Sequence, residues 1–302
     1  MLETPVLFLV FNRPDTTQKV FDAIRQQKPK YLYVAADGAR KHKLGEAEVC
    51  QQVRDIIKVD WDCELKTLFR DENLGCKMAV SSAITWFFEH VEQGIILEDD
   101  CLPDPSFFPY CEELLEKYKD DTRIGQISGN NFLPNVIDGK LSYDFCSYSH
   151  IWGWATWRRA WKNYDVDFPF WNEQKDKRSL LFCNRWDKFY FSSFIPDAIL
   201  NRNGVNTWDA QWQFTLRSQN QLSIYPVVNL VTNIGFDNPN STHTHANSKK
   251  NPAASSSAIS FPLKHSQHVL QNKKLDTKTT KKMFFSWKRL ARYFLAKFGY
   301  VK

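Results

Sequence analysis

The stretch Gly94-Ile-Ile-Leu-Glu-Asp-Asp-Cys-Leu-Pro103 joins a short apolar run to three adjacent carboxylates, Glu98, Asp99 and Asp100. The apolar run is rich in β-branched residues, which predicts a buried strand. Three neighbouring anions repel one another, and burying even one of them unpaired is costly. A cation bound at the carboxyl end of the strand removes that cost, and an all-oxygen ligand set favours Mg²⁺ or Mn²⁺. A solvated acidic turn is the alternative interpretation.

Around this stretch, apolar strand patterns alternate with helical patterns through the first hundred residues. Such alternation is typical of βαβ units and predicts an α/β fold with a mostly parallel sheet. In open sheets of this class, ligands bind beyond the carboxyl ends of the strands, where the acidic triplet lies. The other predicted strands are Val6–Phe11, Tyr31–Ala36, Glu64–Phe69 and Ile124–Ser128.

After Gly129 the regular alternation stops, and the segment from Tyr143 to Trp171 is crowded with aromatic residues. Helices are predicted near Lys188–Asn201 and Asp209–Ser218, followed by one or two strands within Leu222–Val231. The composition from Asn238 to Ser260 predicts loop or disorder.

Charge divides the chain into two parts. Residues 249–302 contain thirteen Lys and Arg and one acid, Asp276, which gives this part a net charge of +12. Because the whole chain has a net charge of +6, residues 1–248 have a net charge of −6. We therefore predict a folded domain over 1–248 and a basic tail over 249–302. Apolar residues at helical spacing in Lys281–Phe298, with basic residues on other faces, favour a helix lying on an anionic membrane surface. A helix docked on the domain is the alternative.

Targeting signals are not evident in the sequence. No apolar stretch of about 18 residues exists, and the N-terminus lacks the charged start of a signal peptide. The seven cysteines are scattered and form no Cys-x-x-Cys pair, a pattern that favours reduced thiols in a cytoplasmic protein.

Other candidate residues follow strands or lie in loops, and each has a plainer interpretation. Arg13 suits a phosphate or a base but also suits a turn, and Asp37 is either a base contact or part of an Asp-Gly turn. Asp209 is either a general base or a helix cap, and Trp208 and Trp212 beside it could form a sugar-stacking platform. Finally, His243 and His245 are either inert loop residues or late metal ligands.

Taken in order, these residues resemble the GT-A fold glycosyltransferases. The chain is similar to bacterial glycosyltransferase-like proteins sometimes labelled hemolytic-protein-like, and more distantly to the N-acetylglucosaminyltransferase I family. The resemblance covers about residues 4–246. It is carried by Asn12-Arg13, Asp37, the acidic triplet followed by Pro105-x-Phe-Phe, Gly153-Trp154 before Trp161, and Trp208-Asp209-x-x-Trp212.

The resemblance implies a role for each matching residue. Asp100 resembles the direct metal ligand, with His243 as a second ligand and His245 as the alternative. Asp209 resembles the general base of an inverting transfer. The residues that resemble nucleotide-sugar contacts are Arg13, Asp37, Glu98, Asp99, Gly153 and Trp154.

Together, residues and resemblance predict a metal-dependent inverting glycosyltransferase. It would move a sugar from a nucleotide-diphosphate donor, most simply a UDP-sugar, to a hydroxyl of a cell-surface glycan or lipid-linked precursor. We expect it in the cytoplasm, at the inner face of the cell membrane, with no nucleic-acid partner. A sugar nucleotidyltransferase shares such a sheet, but Asn12-Arg13-Pro14 is not the Gly-rich phosphate loop expected there. A non-catalytic protein that binds nucleotide sugars or glycans is the other alternative.

Overall fold

The computed structural model describes residues 1–200, 205–235 and 255–284 of the 302-residue chain. The first hundred residues fold as alternating strands and helices. The strands are β1 (Val6–Val10), β2 (Tyr31–Ala36), β3 (Glu64–Phe69) and β4 (Gln93–Glu98), and the helices are α1 (Pro14–Gln27), α2 (Glu46–Ile56) and α3 (Gly75–His90).

The rest of the described chain is less regular, as the loss of alternation predicts. Its strands are β5 (Cys101–Pro103), β6 (Ile124–Ser128), β7 (Tyr143–Cys146), β8 (Trp154–Trp157), β9 (Leu222–Pro226) and β10 (Val231–Asn233). Its helices are α4 (Phe107–Lys117), α5 (Arg158–Trp161), α6 (Phe170–Glu173), α7 (Arg185–Leu200), α8 (Asp209–Ser218) and α9 (Lys273–Thr279). A 3₁₀ segment spans Lys175–Leu181, and a π-helical turn at Thr280–Phe284 follows α9.

Eight strands form one sheet in the order β3-β2-β1-β4-β8-β6-β9-β7, and β10 pairs with β5 in a separate ribbon. Strands β3, β2, β1 and β4 run parallel, whereas β8 is antiparallel to both β4 and β6. The fold is therefore α/β with a mostly parallel central sheet flanked by helices, as predicted. Because β8 opposes β4, the residues that lead into β8 lie at the same edge of the sheet as the acidic end of β4.

Alternation along β1 shows how the sheet is buried on both faces. Val6, Phe8 and Val10 belong to one apolar layer, and Leu7 and Leu9 belong to the other. A strand covered on both faces has no polar side to alternate with, which explains its uninterrupted apolar sequence. A third, aromatic-rich core cluster lies among the later elements and includes side chains from α7, α8 and β9.

A buried ion pair holds the later helices together. Arg217 on α8 donates to Asp187 on α7, with Nη1 2.7 Å from Oδ2, and the two side chains are 5% and 0% exposed. Asp187 also accepts a hydrogen bond from the hydroxyl of Tyr148 at 2.5 Å. Cation–π contacts place the guanidinium 4.8 Å from the ring of Tyr148 and 5.0 Å from that of Phe214. Each charge is thus compensated by its partner and by neighbouring dipoles.

The described part of the predicted basic tail packs against the domain. Leu275 on α9 is fully buried, and Phe284 contacts the rings of Tyr148, Tyr190 and Phe191. Residues 285–302, which contain most of the predicted amphipathic helix, lie outside the described residues. The tail boundary at residue 248 and the membrane helix therefore stay predictions, although residues 255–284 contribute to the folded core.

Candidate active site

A cleft of about 770 Å³ lies over the carboxyl ends of β2, β1 and β4. The cleft has two sides of different composition. The strand-end side is lined by residues at or just after the ends of β1, β2 and β4, namely Arg13, Asp37, Arg40, Glu98, Asp99 and Asp100. The aromatic side is lined by Ile151, Trp152, Phe194, Val205 and Trp208, and Asp209 lies next to the last of them.

The acidic triplet meets a single guanidinium at the end of β4. Arg13 Nη1 lies 2.6 Å from Asp100 Oδ2 and 3.4 Å from Asp99 Oδ1. Asp99 also accepts the backbone N–H of Phe11 at 3.3 Å, which ties the end of β4 to the end of β1. Among the described residues, Arg13 is the cation that forms ion pairs with the triplet, so negative charge remains in excess there.

Burial and mutual repulsion perturb this cluster strongly. The pKa of Glu98 is raised, first by burial and then by the charges of Asp100, Asp99 and Asp209. The pKa of Asp99 is raised by burial and by Asp100, against the opposing effect of Arg13. Burial lowers the pKa of Arg13, but the facing carboxylates Asp99 and Asp100 outweigh it and give a net increase. The charged forms of Glu98 and Asp99 are therefore disfavoured, and a further positive charge at this site would stabilise them.

Asp37 organises the start of α3. Its Oδ1 accepts the backbone N–H of Leu74 at 3.0 Å, and its Oδ2 accepts Asn73 Nδ2 at 2.9 Å and the backbone N–H of Gly75 at 3.1 Å. A carboxylate offers about four lone-pair positions, so Oδ1 retains capacity for one more donor. The predicted base contact stays a prediction, and the positioning of residues 73–75 is a role that the sequence did not disclose.

Asn12, Arg40 and Glu46 form a second polar group beside Arg13. Glu46 accepts Asn12 Nδ2 at 2.8 Å and the backbone N–H of Arg40 at 2.8 Å, and it pairs with the Arg40 guanidinium. Bonding to Arg40 lowers the pKa of Glu46 to about 2. The Arg40 guanidinium also lies 5.5 Å from the ring of Phe11. The sequence analysis missed this group because its members are separated along the chain and match no motif.

The β5–β10 ribbon fixes the backbone of Asp100, whose side chain pairs with Arg13. The backbone N–H of Ile234 donates to the Asp100 carbonyl at 2.8 Å, and the Gly235 N–H donates to Asn233 Oδ1 at 2.9 Å. Gly235 packs so closely that a Cβ at this position would collide with the Asp100 carboxylate. Glycine fits this close approach, and a Cβ here would require the Asp100 side chain or the chain at residue 235 to shift.

Asp209 is the first residue of α8, and its side chain does not cap the helix. Thr207 Oγ1 donates a hydrogen bond to it instead. Asp209 lies in the same cleft as the triplet and is close enough to raise the pKa of Glu98. The structure thus brings Arg13, Asp37, Asp99, Asp100 and Asp209 together, although up to 196 residues separate them in sequence.

The tryptophans are placed differently from the prediction. Trp208 and Trp212 are 1% and 0% exposed, so they form no open stacking platform. Trp154 is also fully buried and stacks on Trp208 with centroids 5.6 Å apart. Neither Gly153 nor Trp154 is among the described residues that line the cleft. Trp154 has no exposed surface, and the donor contacts predicted for Gly153 and Trp154 stay predictions.

Part of the predicted metal site falls on residues that the structure does not describe. His243 and His245 lie outside the described residues. Within residues 1–200, 205–235 and 255–284, no three His, Cys, Asp or Glu side chains are arranged to hold a metal ion by themselves.

In the same part of the chain, no helix is both long enough and apolar enough to cross a membrane. All seven cysteines are free thiols.

Comparison with known proteins gives matches among solved structures. A mannosyltransferase from Pyrobaculum calidifontis, in complex with GDP-Man and Mn²⁺, matches with a TM-score of 0.39 and 17% identity over 53% of this chain and 46% of that one. HddC from Yersinia pseudotuberculosis matches with a TM-score of 0.33 and 10% identity over 53% and 80% of the two chains. A 4-diphosphocytidyl-2C-methyl-D-erythritol synthase from Anaerococcus prevotii matches with a TM-score of 0.33 and 8% identity, over 64% and 84%.

No protein-family model matches the chain, and no curated protein matches it either. The chain spans less than half of the length of the mannosyltransferase. With TM-scores below 0.5, these likenesses assign neither a substrate nor a reaction to this chain. The function has to be argued from its own residues.

Proposed function

We propose that this chain is a metal-dependent inverting glycosyltransferase that uses a nucleotide-diphosphate sugar, with UDP-sugars as the first donors to test. One observation carries the proposal: the acidic end of β4 shares a single cleft with Arg13 and Asp209. Carboxylates in excess at strand ends suit a cation and a diphosphate, and a separate carboxylate across the cleft suits proton removal from an acceptor.

The residues of the chain divide the proposed reaction between them. Arg13, positioned by Asp99 and Asp100, provides a guanidinium toward which phosphate oxygens can be oriented. Asp209, held by Thr207, accepts the proton of the attacking hydroxyl. A single displacement needs one base and no protein nucleophile, so the anomeric configuration inverts.

A divalent cation fits the donor chemistry of this site. Carboxylates outnumber cations among the described residues at the end of β4, and burial and repulsion raise the pKa of both Glu98 and Asp99. Asp100 would hold the ion, with His243 as a further proposed ligand. When bound, Mg²⁺ or Mn²⁺ supplies charge neutralisation for the leaving diphosphate.

The direct test measures Mn²⁺-dependent release of nucleoside diphosphate from a panel of UDP- and GDP-sugars. We expect release from one donor by the wild type and at least a hundredfold less by Asp100→Ala. Gly235→Ala should lose activity by about tenfold or more because its methyl group shifts Asp100 or the chain at residue 235. Gly139→Ala is the matched control, since a Cβ there meets no atom within 4 Å. Absence of both turnover and donor binding would reject the proposal.

The same assay separates glycosyl transfer from nucleotidyl transfer. A glycosyltransferase releases a nucleoside diphosphate, whereas a sugar nucleotidyltransferase makes a nucleotide sugar from a nucleoside triphosphate and releases pyrophosphate. Pyrophosphate release from a triphosphate and a sugar phosphate would therefore replace our proposal with that alternative. Donor binding without turnover, unchanged in Asp209→Asn, would indicate a non-catalytic binding protein.

Association with the inner face of the cell membrane is also proposed, and it rests on the pattern of basic and apolar residues in Lys281–Phe298. Because residues 255–284 pack on the domain, the informative truncation ends at Phe284 rather than at the predicted boundary. We expect the truncated protein to stop sedimenting with anionic vesicles while keeping its donor turnover. Equal sedimentation of both proteins would contradict the membrane role.

A further inference from the structure

One residue of α3 holds the chain on both sides of the connection between α7 and α8. Lys77 is buried, and its Nζ donates to the carbonyl oxygens of Ala198 at 3.1 Å and Ile199 at 3.0 Å, in the last turn of α7. The backbone N–H of Lys77 donates to Asn206 Oδ1 at 3.0 Å. Lys77 therefore holds both the end of α7 and the segment that leads into α8.

The first turn of α3 binds two polar side chains from distant parts of the chain. Amides at the start of a helix have no partner within the helix, so they take partners from elsewhere. Asp37, after β2, accepts the Gly75 N–H at 3.1 Å, and Asn206 accepts that of Lys77. A Cβ added at Gly75 would lie 3.1 Å from Asn206 Nδ2, so this side chain packs directly on the start of the helix. The turn thus joins the strand-end side of the cleft to the segment that carries Asp209.

Helix α3 is a fixed reference for this segment. Its inner face belongs to the same buried apolar layer as side chains of β1 and β2. Trp208 is buried in that layer too, and its carbonyl accepts a hydrogen bond from the Tyr164 hydroxyl at 3.3 Å. Asp209, the next residue, is therefore held at two points: through Trp208 from the core and through Asn206 from α3.

We propose that Asn206 is a positioning residue that holds Asp209 in the cleft by bonding the first turn of α3. This inference rests on the proposed function, in which Asp209 accepts the proton of the attacking hydroxyl. Proton transfer needs heavy atoms about 3 Å apart, and a displacement of about 1 Å can slow such a step about a hundredfold. The bond of Asn206 fixes where α8 begins, and Asp209 is the first residue of that helix.

Solvent exposure of Asn206 separates this role from a role in stability. When its side chain is removed, water can accept the Lys77 N–H, so the folded state loses little free energy. A water molecule does not tie the chain before Asp209 to α3, so Asp209 becomes less precisely placed. Asn206→Ala should therefore lower kcat about tenfold, leave the donor KM within about twofold, and barely change the thermal unfolding midpoint.

The test compares the wild type with Asn206→Ala, Asn206→Asp and the control Asn163→Ala, using nucleoside diphosphate release from the donor that the panel identifies. Water takes the place of the acceptor in this assay, and Asp209 would accept its proton in the same way. Aspartate has nearly the same shape as asparagine and also accepts the Lys77 N–H, so Asn206→Asp should recover most of the lost kcat. Asn163 is exposed and does not line the cleft, so its variant should match the wild type.

Equal kcat for the wild type and Asn206→Ala, or no recovery in Asn206→Asp, would overturn the inference and leave the proposed function standing. Hydrogen exchange over residues 205–212, measured by mass spectrometry, does not depend on turnover. If no donor is turned over, faster exchange of this segment in Asn206→Ala, restored to the wild-type rate in Asn206→Asp, still supports the positioning role. Exchange that is equal in the three proteins rejects it.

Discussion

The two sides of the cleft are built in different ways. The strand-end side comes from short loops that follow three neighbouring parallel strands within the first hundred residues. The aromatic side comes from segments around residues 152, 194 and 208, which are far apart along the chain. Its elements are joined by stacked rings and by the buried Arg217–Asp187 pair.

This difference has a physical consequence. Charged residues on the strand-end side are placed by backbone pairing in the sheet, so the loss of one side chain should alter chemistry more than folding. The aromatic side depends on packing between distant helices, so changes in its interior should alter folding more than chemistry.

The largest expected effect is on chemistry at the border between the two sides. Asp209→Asn removes the proposed base while keeping the size of the side chain, and it should lower glycosyl transfer by about 10²–10⁴-fold. The donor KM should change little, because Asp209 acts on the acceptor. Steady-state kinetics with both substrates varied would measure this, and a variant that retains more than about a tenth of the wild-type kcat would exclude the assigned role.

A large loss of stability is expected inside the aromatic side. Arg217→Met keeps the volume but leaves the Asp187 charge buried without its partner, which should cost about 3–5 kcal/mol in the free energy of unfolding. Arg123→Met removes the exposed partner of the half-buried Asp121, which stays in contact with solvent, and should cost about 0–1 kcal/mol. Urea unfolding of both variants measures the difference, and similar midpoints would refute the contrast between buried and exposed pairs.

Opposite responses to pH are the smaller expected effects. On the aromatic side, burial lowers the pKa of His150 to about 3. The unfolded chain therefore binds a proton first as pH falls below about 6.5, and the folded protein should lose roughly 2 kcal/mol between pH 6.5 and 5. His150→Gln should flatten this acid slope. An unchanged slope of thermal unfolding midpoint against pH would show that His150 is not its source.

The strand-end side should respond in the other direction. The raised pKa of Glu98 means that the folded protein holds its proton more tightly, so stability falls as pH rises from about 4.5 toward that raised pKa. Glu98→Gln should therefore stabilise the metal-free protein at pH 8 by about 1 kcal/mol or more, and hardly at pH 4. Mn²⁺ should stabilise the wild type more than the variant. A variant that is less stable than the wild type at pH 8 would contradict the assignment of unrelieved repulsion.

Much of the fold could be read from local patterns. The limits predicted for β2, β3, β6 and α8 agree with the structure, because each begins and ends where apolar periodicity meets turn or charged residues. The predicted β1 ran one residue too far, to Phe11, whereas β1 ends at Val10. The acidic triplet was informative because its energetic cost depends only on adjacent like charges at the end of a buried strand.

What the sequence determined by itself was therefore the parallel half of the sheet and the presence of an anionic site at its edge, since both follow from contacts between near neighbours. The tertiary structure alone decided which of four tryptophans near the cleft stays partly exposed. Trp152, Trp154, Trp208 and Trp212 are chemically identical, but three are covered by partners distant in sequence. Exposure of a side chain depends on what packs over it, and no local pattern records that.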